Sequence, residues 1–104
     1  MIAWTTPTLQ IRIRGADLTA CRVTVDIEQD CTRVSVLDPP MTYTEAGTLM
    51  EVTLTQEQSG ALHAGSAKLQ VNAIDSNGYR PATRKYTISI GDNIRDEVMS
   101  YAAD

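Results

Sequence analysis

The chain has 104 residues and a mass of 11.4 kDa, room for one folded core and no second. Hydrophobic residues make up 42% and charged residues 21%, which excludes a disordered chain; a net charge of −4 argues against a nucleic-acid binder that neutralises phosphates. The aromatic share is 5% with no Phe, so Val, Ile and Leu must build the core. Surface scaling buries roughly two-thirds of the unfolded surface, enough for a small core without a metal or a disulfide framework.

The opening residues, Met1 to Pro7, form an N-terminal arm without the basic-then-apolar pattern of a leader peptide. No run approaches the roughly 18 apolar residues that span a bilayer. The expectation is a protein made in a reducing cytosol, with no membrane partner. From Thr8 to Arg14, Leu9, Ile11 and Ile13 alternate with Gln10, Arg12 and Arg14, the period of a half-buried strand. A second strand follows from Ala20 to Gln29, with Cys21, Val23, Val25 and Ile27 on one face. A short third, marked by Val34 and Val36, turns back near Gln29 and Asp30 and stops at Asp38-Pro39-Pro40. If these two strands form a hairpin, several rungs of about 3.4 Å separate Cys21 from Cys31, beyond the roughly 7 Å limit for a disulfide. Both cysteines are therefore expected as free thiols.

Thr48 to Thr55 reads as the next strand, with Met50, Val52 and Leu54 inward. Thr55 and Gln58 then have the form of a capping box, predicting one helical turn that ends by Gly60 and crosses between sheets. Ala67, Leu69, Val71 and Ala73 line a fifth strand; Tyr86, Ile88 and Ile90 line a sixth. Asn77-Gly78 between these runs is a two-residue hairpin signal. Setting it as the loop pairs Asp75 with Arg80, Leu69 with Tyr86 and Ala67 with Ile88; Val71 opposite Arg84 is the one mismatch. In the tail from 92 to 104, Asp92 or Asn93 is placed to cap a short helix with Ile94, Val98 and Tyr101 on one face.

The chain thus reads as a single all-β domain over residues 1–104. The expected fold is an antiparallel immunoglobulin-like β-sandwich of about six to seven strands, with a short C-terminal helical tail. A small closed barrel is the alternative. The Cys and Trp spacing of true immunoglobulin domains is missing, since Trp4 precedes every strand.

Reactive chemistry finds little support. His63 is the single histidine, flanked by Ala61, Leu62 and Ala64, with no Cys or carboxylate at metal-ligand spacing. Neither Ser59-Gly60 nor Gly65-Ser66 belongs to a nucleophile elbow. Asp75-Ser76-Asn77-Gly78 begins like a calcium loop, but Tyr79 and Arg80 stand where a ligand and the turn glycine belong. Asp26, Glu28 and Asp30 alternate as the wet face of a strand. No catalytic, cofactor-binding or metal-binding residue is expected, and no cofactor. Arg12 and Arg14 share a face, either solvated or in contact with an acidic partner. Trp4 in its short arm either folds back over the sandwich or inserts into a neighbour.

Five segments resemble a group of small proteins encoded in phages and prophages of Gram-positive bacteria. The opening Trp4-Thr5-Thr6-Pro7-Thr8 resembles their opening motif; Asp17-Leu18-Thr19 with Arg22 to Gln29 resembles their strand ending in Gln. Leu54-Thr55-Gln56-Glu57-Gln58 is similar to their Leu-Thr-Gln-Glu-Glu turn. Lys68 to Asn72 followed by Gly78 to Thr83 resembles their Gln-containing strand, glycine turn and Ala-Ser segment, and the closing strand Tyr86 to Ile90 comes next. The match runs from about Ala3 to Val98.

The resemblance implies a non-enzymatic virion component of a tail, baseplate or head–tail region, with an immunoglobulin-like sandwich. Such a component is made in the host cytoplasm and packaged from it, and works by homo-oligomerisation and docking on other virion proteins. No established functional residues come with it. The expected subunit or partner contacts are Trp4, Arg12, Arg14, Ile94, Val98 and Tyr101. The alternative is a carbohydrate-binding, adhesive sandwich that stacks a glycan on Trp4, Tyr43, Tyr79 or Tyr101.

Overall fold

The computed structural model describes residues 1–81 and 83–101. Among these, seven strands and one short helix form: β1 (Thr8–Ile13), β2 (Arg22–Gln29), β3 (Thr32–Leu37), β4 (Met41–Thr44), β5 (Gly47–Thr53), α1 (Gln56–Gly60), β6 (Gly65–Ile74) and β7 (Lys85–Ile90). A three-stranded sheet in the order β1-β5-β4 covers a four-stranded sheet in the order β3-β2-β6-β7. Every neighbouring pair is antiparallel. The protein is an all-β sandwich. Three strands in this order opposite four follow the immunoglobulin-like pattern, except that among the described residues no strand lies outside β1, where that pattern has its first strand.

Alternation alone selects the core. Val23, Val25 and Ile27 of β2 and Leu69, Val71 and Ala73 of β6 face Met50, Val52 and Leu54 from the opposite sheet side, all buried. Burying each large aliphatic side chain contributes about 1.5–3 kcal/mol, which is what holds the layers together without a disulfide. Cys21 and Cys31 are free, at opposite ends of β2.

The β2–β3 hairpin turns through Asp30 and Cys31, with Gln29 opposite Thr32 and Asp30 at φ 53°. At its other end Asp38, also left-handed at φ 48°, accepts hydrogen bonds from the Val23 N–H and from Arg22 Nε, both at 2.9 Å. The Val23 bond leads in holding the Asp38 carboxyl below the usual carboxylate range. The capping box forms as the sequence predicts. Thr55 Oγ1 accepts from the Gln58 N–H at 3.1 Å, and Gln58 Oε1 accepts from the Thr55 N–H at 2.9 Å. The single turn of α1 carries the chain from one sheet to the other.

Four features depart from the sequence expectation. First, β4 is an additional edge strand; its four residues are mostly exposed, so no apolar alternation announces it. Second, the β6–β7 register is as expected, with Leu69 opposite Tyr86 and Ala67 opposite Ile88, but the loop is not. Asp75 donates its N–H to the Tyr79 carbonyl, and its carboxylate accepts from the Asn77 and Tyr79 N–H groups, so the tip holds three residues rather than two. The expected pairing of Asp75 with Arg80 is lost to this side-chain turn. Third, the ladder ends at Gln70 opposite Lys85, so Val71 never meets Arg84; Thr83 Oγ1 donates to the Val71 carbonyl instead. Ala82, part of one resemblance segment, lies outside the described residues.

Fourth, residues 92–101 form bends, a turn and irregular backbone rather than the expected helix; residues 102–104 lie outside the described residues. The physical reason is competition for backbone groups. Asn93 Oδ1 takes the Arg95 N–H, and Gln56 takes both the N–H (2.8 Å) and the carbonyl (2.9 Å) of Met99. A helix of about nine residues has too little cooperativity to win them back. No helix of the described residues is long and apolar enough to cross a membrane.

Candidate functional site

Two regions gather the residues that the sequence singles out. The first is the open side of the sandwich, where β1 borders one sheet and β7 the other. Among the described residues, β1 pairs only with β5, and β7 only with β6 apart from its end, where Met1 to Ala3 bond to Ser89 and Gly91. Each strand therefore keeps a row of unpaired backbone donors and acceptors, the feature by which a sheet recruits another strand.

Between these edges lies a cleft of about 290 Å³ walled by Leu9, Ile11, Leu69, Tyr86 and Ile88. It continues past Arg12 and Tyr86 into a second hollow of about 390 Å³ lined by Arg12, Arg14, Thr83 and Arg84. The cleft is thus apolar at one end and cationic at the other. Arg12 and Arg14 come together here as expected, and Arg84 joins them. Among the described residues, no carboxylate pairs with any of the three.

Sequence reasoning missed Arg84, Tyr86 and the role of Leu9 and Ile11. The Val71–Arg84 mismatch was the available signal: an arginine that cannot sit opposite a core valine must leave the ladder. Nothing in the alternation of β1 told a sealed core face from a half-open one.

The second region lies at the end of the sandwich near α1. Trp4, at φ 64°, folds back so that its ring packs on Gly60, where a Cβ would come within 2.3 Å of it. Ser59 beneath donates its hydroxyl to the Thr5 carbonyl at 2.6 Å and is fully buried. Trp4, Gly60, His63, Asp92, Ile94 and Asp96 border a shallow hollow of about 590 Å³. Trp4 and Ile94 are thereby neighbours, whereas Val98 and Tyr101 stand out on the tail, Tyr101 fully exposed.

The loop carrying His63 is held by Gln29, the last residue of β2. Its amide donates to the His63 and Ser66 carbonyls and accepts from the His63 N–H at 2.8 Å, acting as a surrogate backbone. His63 Nε2 lies 2.7 Å from the Asp30 carboxylate, and Nδ1 lies 3.0 Å from the Ala64 carbonyl. The Ala64 bond first, then the Asp30 bond, raises its pKa above the ordinary 6.5. Protonation of His63 therefore favours the folded state fully below that ordinary value, and the contribution disappears as pH rises through the higher folded-state value. A proton-detected titration should show His63 titrating above 6.5, and Asp30→Asn should move it back down. An unchanged midpoint in the variant would remove the Asp30 contact from the account. Among the described residues, no group of three or more His, Cys, Asp or Glu is placed to hold a metal ion.

No family model matches the chain, and no curated protein does so either. Among solved structures, the chain is similar to a "putative glycoside hydrolase" from Bacteroides vulgatus ATCC 8482, with a TM-score of 0.50 and 12% identity. The alignment covers 90% of this chain and 16% of that one, so the chain spans about a sixth of its length. A likeness at this identity is one of fold.

Proposed function

We propose that the chain is a non-enzymatic structural component of a phage or prophage virion, acting by oligomerisation and docking. The observation that carries this is the open side of the sandwich: two strand edges, unpaired among the described residues except at the end of β7, flank an apolar cleft with three arginines at one end. Edges of this kind are contact surfaces by their physics, since backbone groups, apolar side chains and charge all await a partner. The resemblance of five segments to phage and prophage proteins supplies the setting.

Mass spectrometry of purified particles, induced from cells carrying the gene, tests the reading. The chain should co-purify with capsid and tail proteins in stoichiometric amount. Its absence from intact particles that assemble normally would overturn the virion assignment.

A carbohydrate-binding module is the second reading, and the Trp4 hollow favours it. There an indole wall meets His63 and the carboxylates of Asp92 and Asp96, groups suited to stacking on a sugar ring and accepting from its hydroxyls. Tyr43 and Tyr79, 52% and 65% exposed, stand apart on β4 and the β6–β7 loop. Reproducible glycan-array binding lost in Asp92→Asn with Asp96→Asn would favour this reading over assembly.

A further inference from the structure

We infer that the cleft between β1 and β7 is filled by the C-terminal segment of a second copy of this chain, residues 94–101 lying beside β1 as an added strand. The inference rests on the assembly reading and names its partner.

Among the described residues, the outer side of β1 has no neighbouring strand. Immunoglobulin-like sandwiches carry a strand outside the one that β1 represents, and here nothing in the described chain occupies it. The tail has surplus apolar groups: Ile94, Met99 and Tyr101 are 105%, 63% and 107% exposed in their own chain. Among the described residues, the tertiary hydrogen bonds of the segment past Asn93 are the two between Gln56 and Met99, both on the surface. Little holds the tail at home.

Charge sets the direction. Asp96 and Glu97 are acidic, Glu97 being paired with Arg95 in its own chain, while Arg12, Arg14 and Arg84 cluster at one end of the cleft in a chain of net charge −4. A strand running antiparallel to β1 with Asp96 opposite Arg14 places Met99 and Tyr101 opposite Ile11 and Leu9. Alternation then puts Met99 and Tyr101 on the inward face of Leu9 and Ile11, and Asp96 on the outward face of Arg12 and Arg14. The lengths agree: at about 3.4 Å per residue, Leu9 to Arg14 and Asp96 to Tyr101 each span about 17 Å. Main-chain pairing to β1 then supplies adhesion, and the charges supply register and direction.

The test is sedimentation equilibrium of the full chain and two surface variants, none of which touches the core. One reverses the cleft, Arg12→Glu with Arg84→Glu; the other reverses the tail, Asp96→Arg with Glu97→Arg. The native chain should dimerise or form a larger closed oligomer at high micromolar concentration. Each variant alone should associate roughly tenfold more weakly or worse, because like charges then meet. An equal mixture of the two should recover association, since each cleft then faces a tail of opposite sign. A monomeric native chain would overturn the inference, as would an oligomer indifferent to both reversals, or a mixture no tighter than its parts. In each of those cases the particle measurement still decides the virion reading separately.

Discussion

Gly47→Ala is expected to lower stability by about 3 kcal/mol or more, the sum of backbone strain and overpacking. Gly47 opens β5 at φ +109°, a conformation that side chains rarely adopt. A Cβ there would sit 2.2 Å from the Ile13 carbonyl oxygen and 2.8 Å from the Arg14 Cα. Both obstacles are backbone, so no rotamer change relieves them. The β1–β5 ladder must shift at its Ile13–Thr48 end, beside the arginines of the cleft. For a domain of this size the loss corresponds to a fall in melting temperature of roughly 10 °C or more. Gly15→Ala is the control, because Gly15 shares a positive φ of +77° but has open space around its Cβ position. It should lose only about 1–2 kcal/mol. Equal losses in the two variants, measured by thermal and denaturant unfolding, would show that the close approach at Gly47 adds no cost beyond its positive φ.

Thr48→Val should cost about 2–4 kcal/mol although it barely changes volume, because it strands two backbone groups that one hydroxyl now satisfies. Thr48 is fully buried; its Oγ1 donates to the Ala16 carbonyl at 2.7 Å and accepts from the Leu18 N–H at 2.9 Å. That one hydroxyl pins the loop between β1 and β2 to the start of β5, the central strand of the three-stranded sheet, and seats Leu18 in the core. Thr48→Ser keeps both bonds and should recover most of the loss. If valine proves as stable as threonine, water or a loop movement must be replacing the hydroxyl.

Both variants act at places where the amino-acid order is silent. A threonine on a strand looks like any β-branched residue, and a glycine before a strand looks like any turn. Their importance comes from residues some 30 positions away along the chain. Gln29 is similar: its strand is plain from alternation, but its hold on His63 exists only once the α1–β6 connection is brought alongside.

What could be read along the chain was what short-range physics decides. Period-two alternation located β1, β2, β3, β5, β6 and β7, named their inward residues and fixed the β6–β7 register, because a one-residue slip would turn every apolar side chain outward. The capping box of α1 was equally local, its donors and acceptors lying within four residues. The tertiary structure alone decided three other things: that β4 would form at an edge, that Gln56 would draw the tail away from helix, and that β1 and β7 would be left with open edges. Each depends on competition among distant partners for the same backbone groups. A half-buried strand has the same alternation whether its free side meets solvent, its own chain or another molecule, and so the cleft and its arginines emerged only when the two sheets were packed.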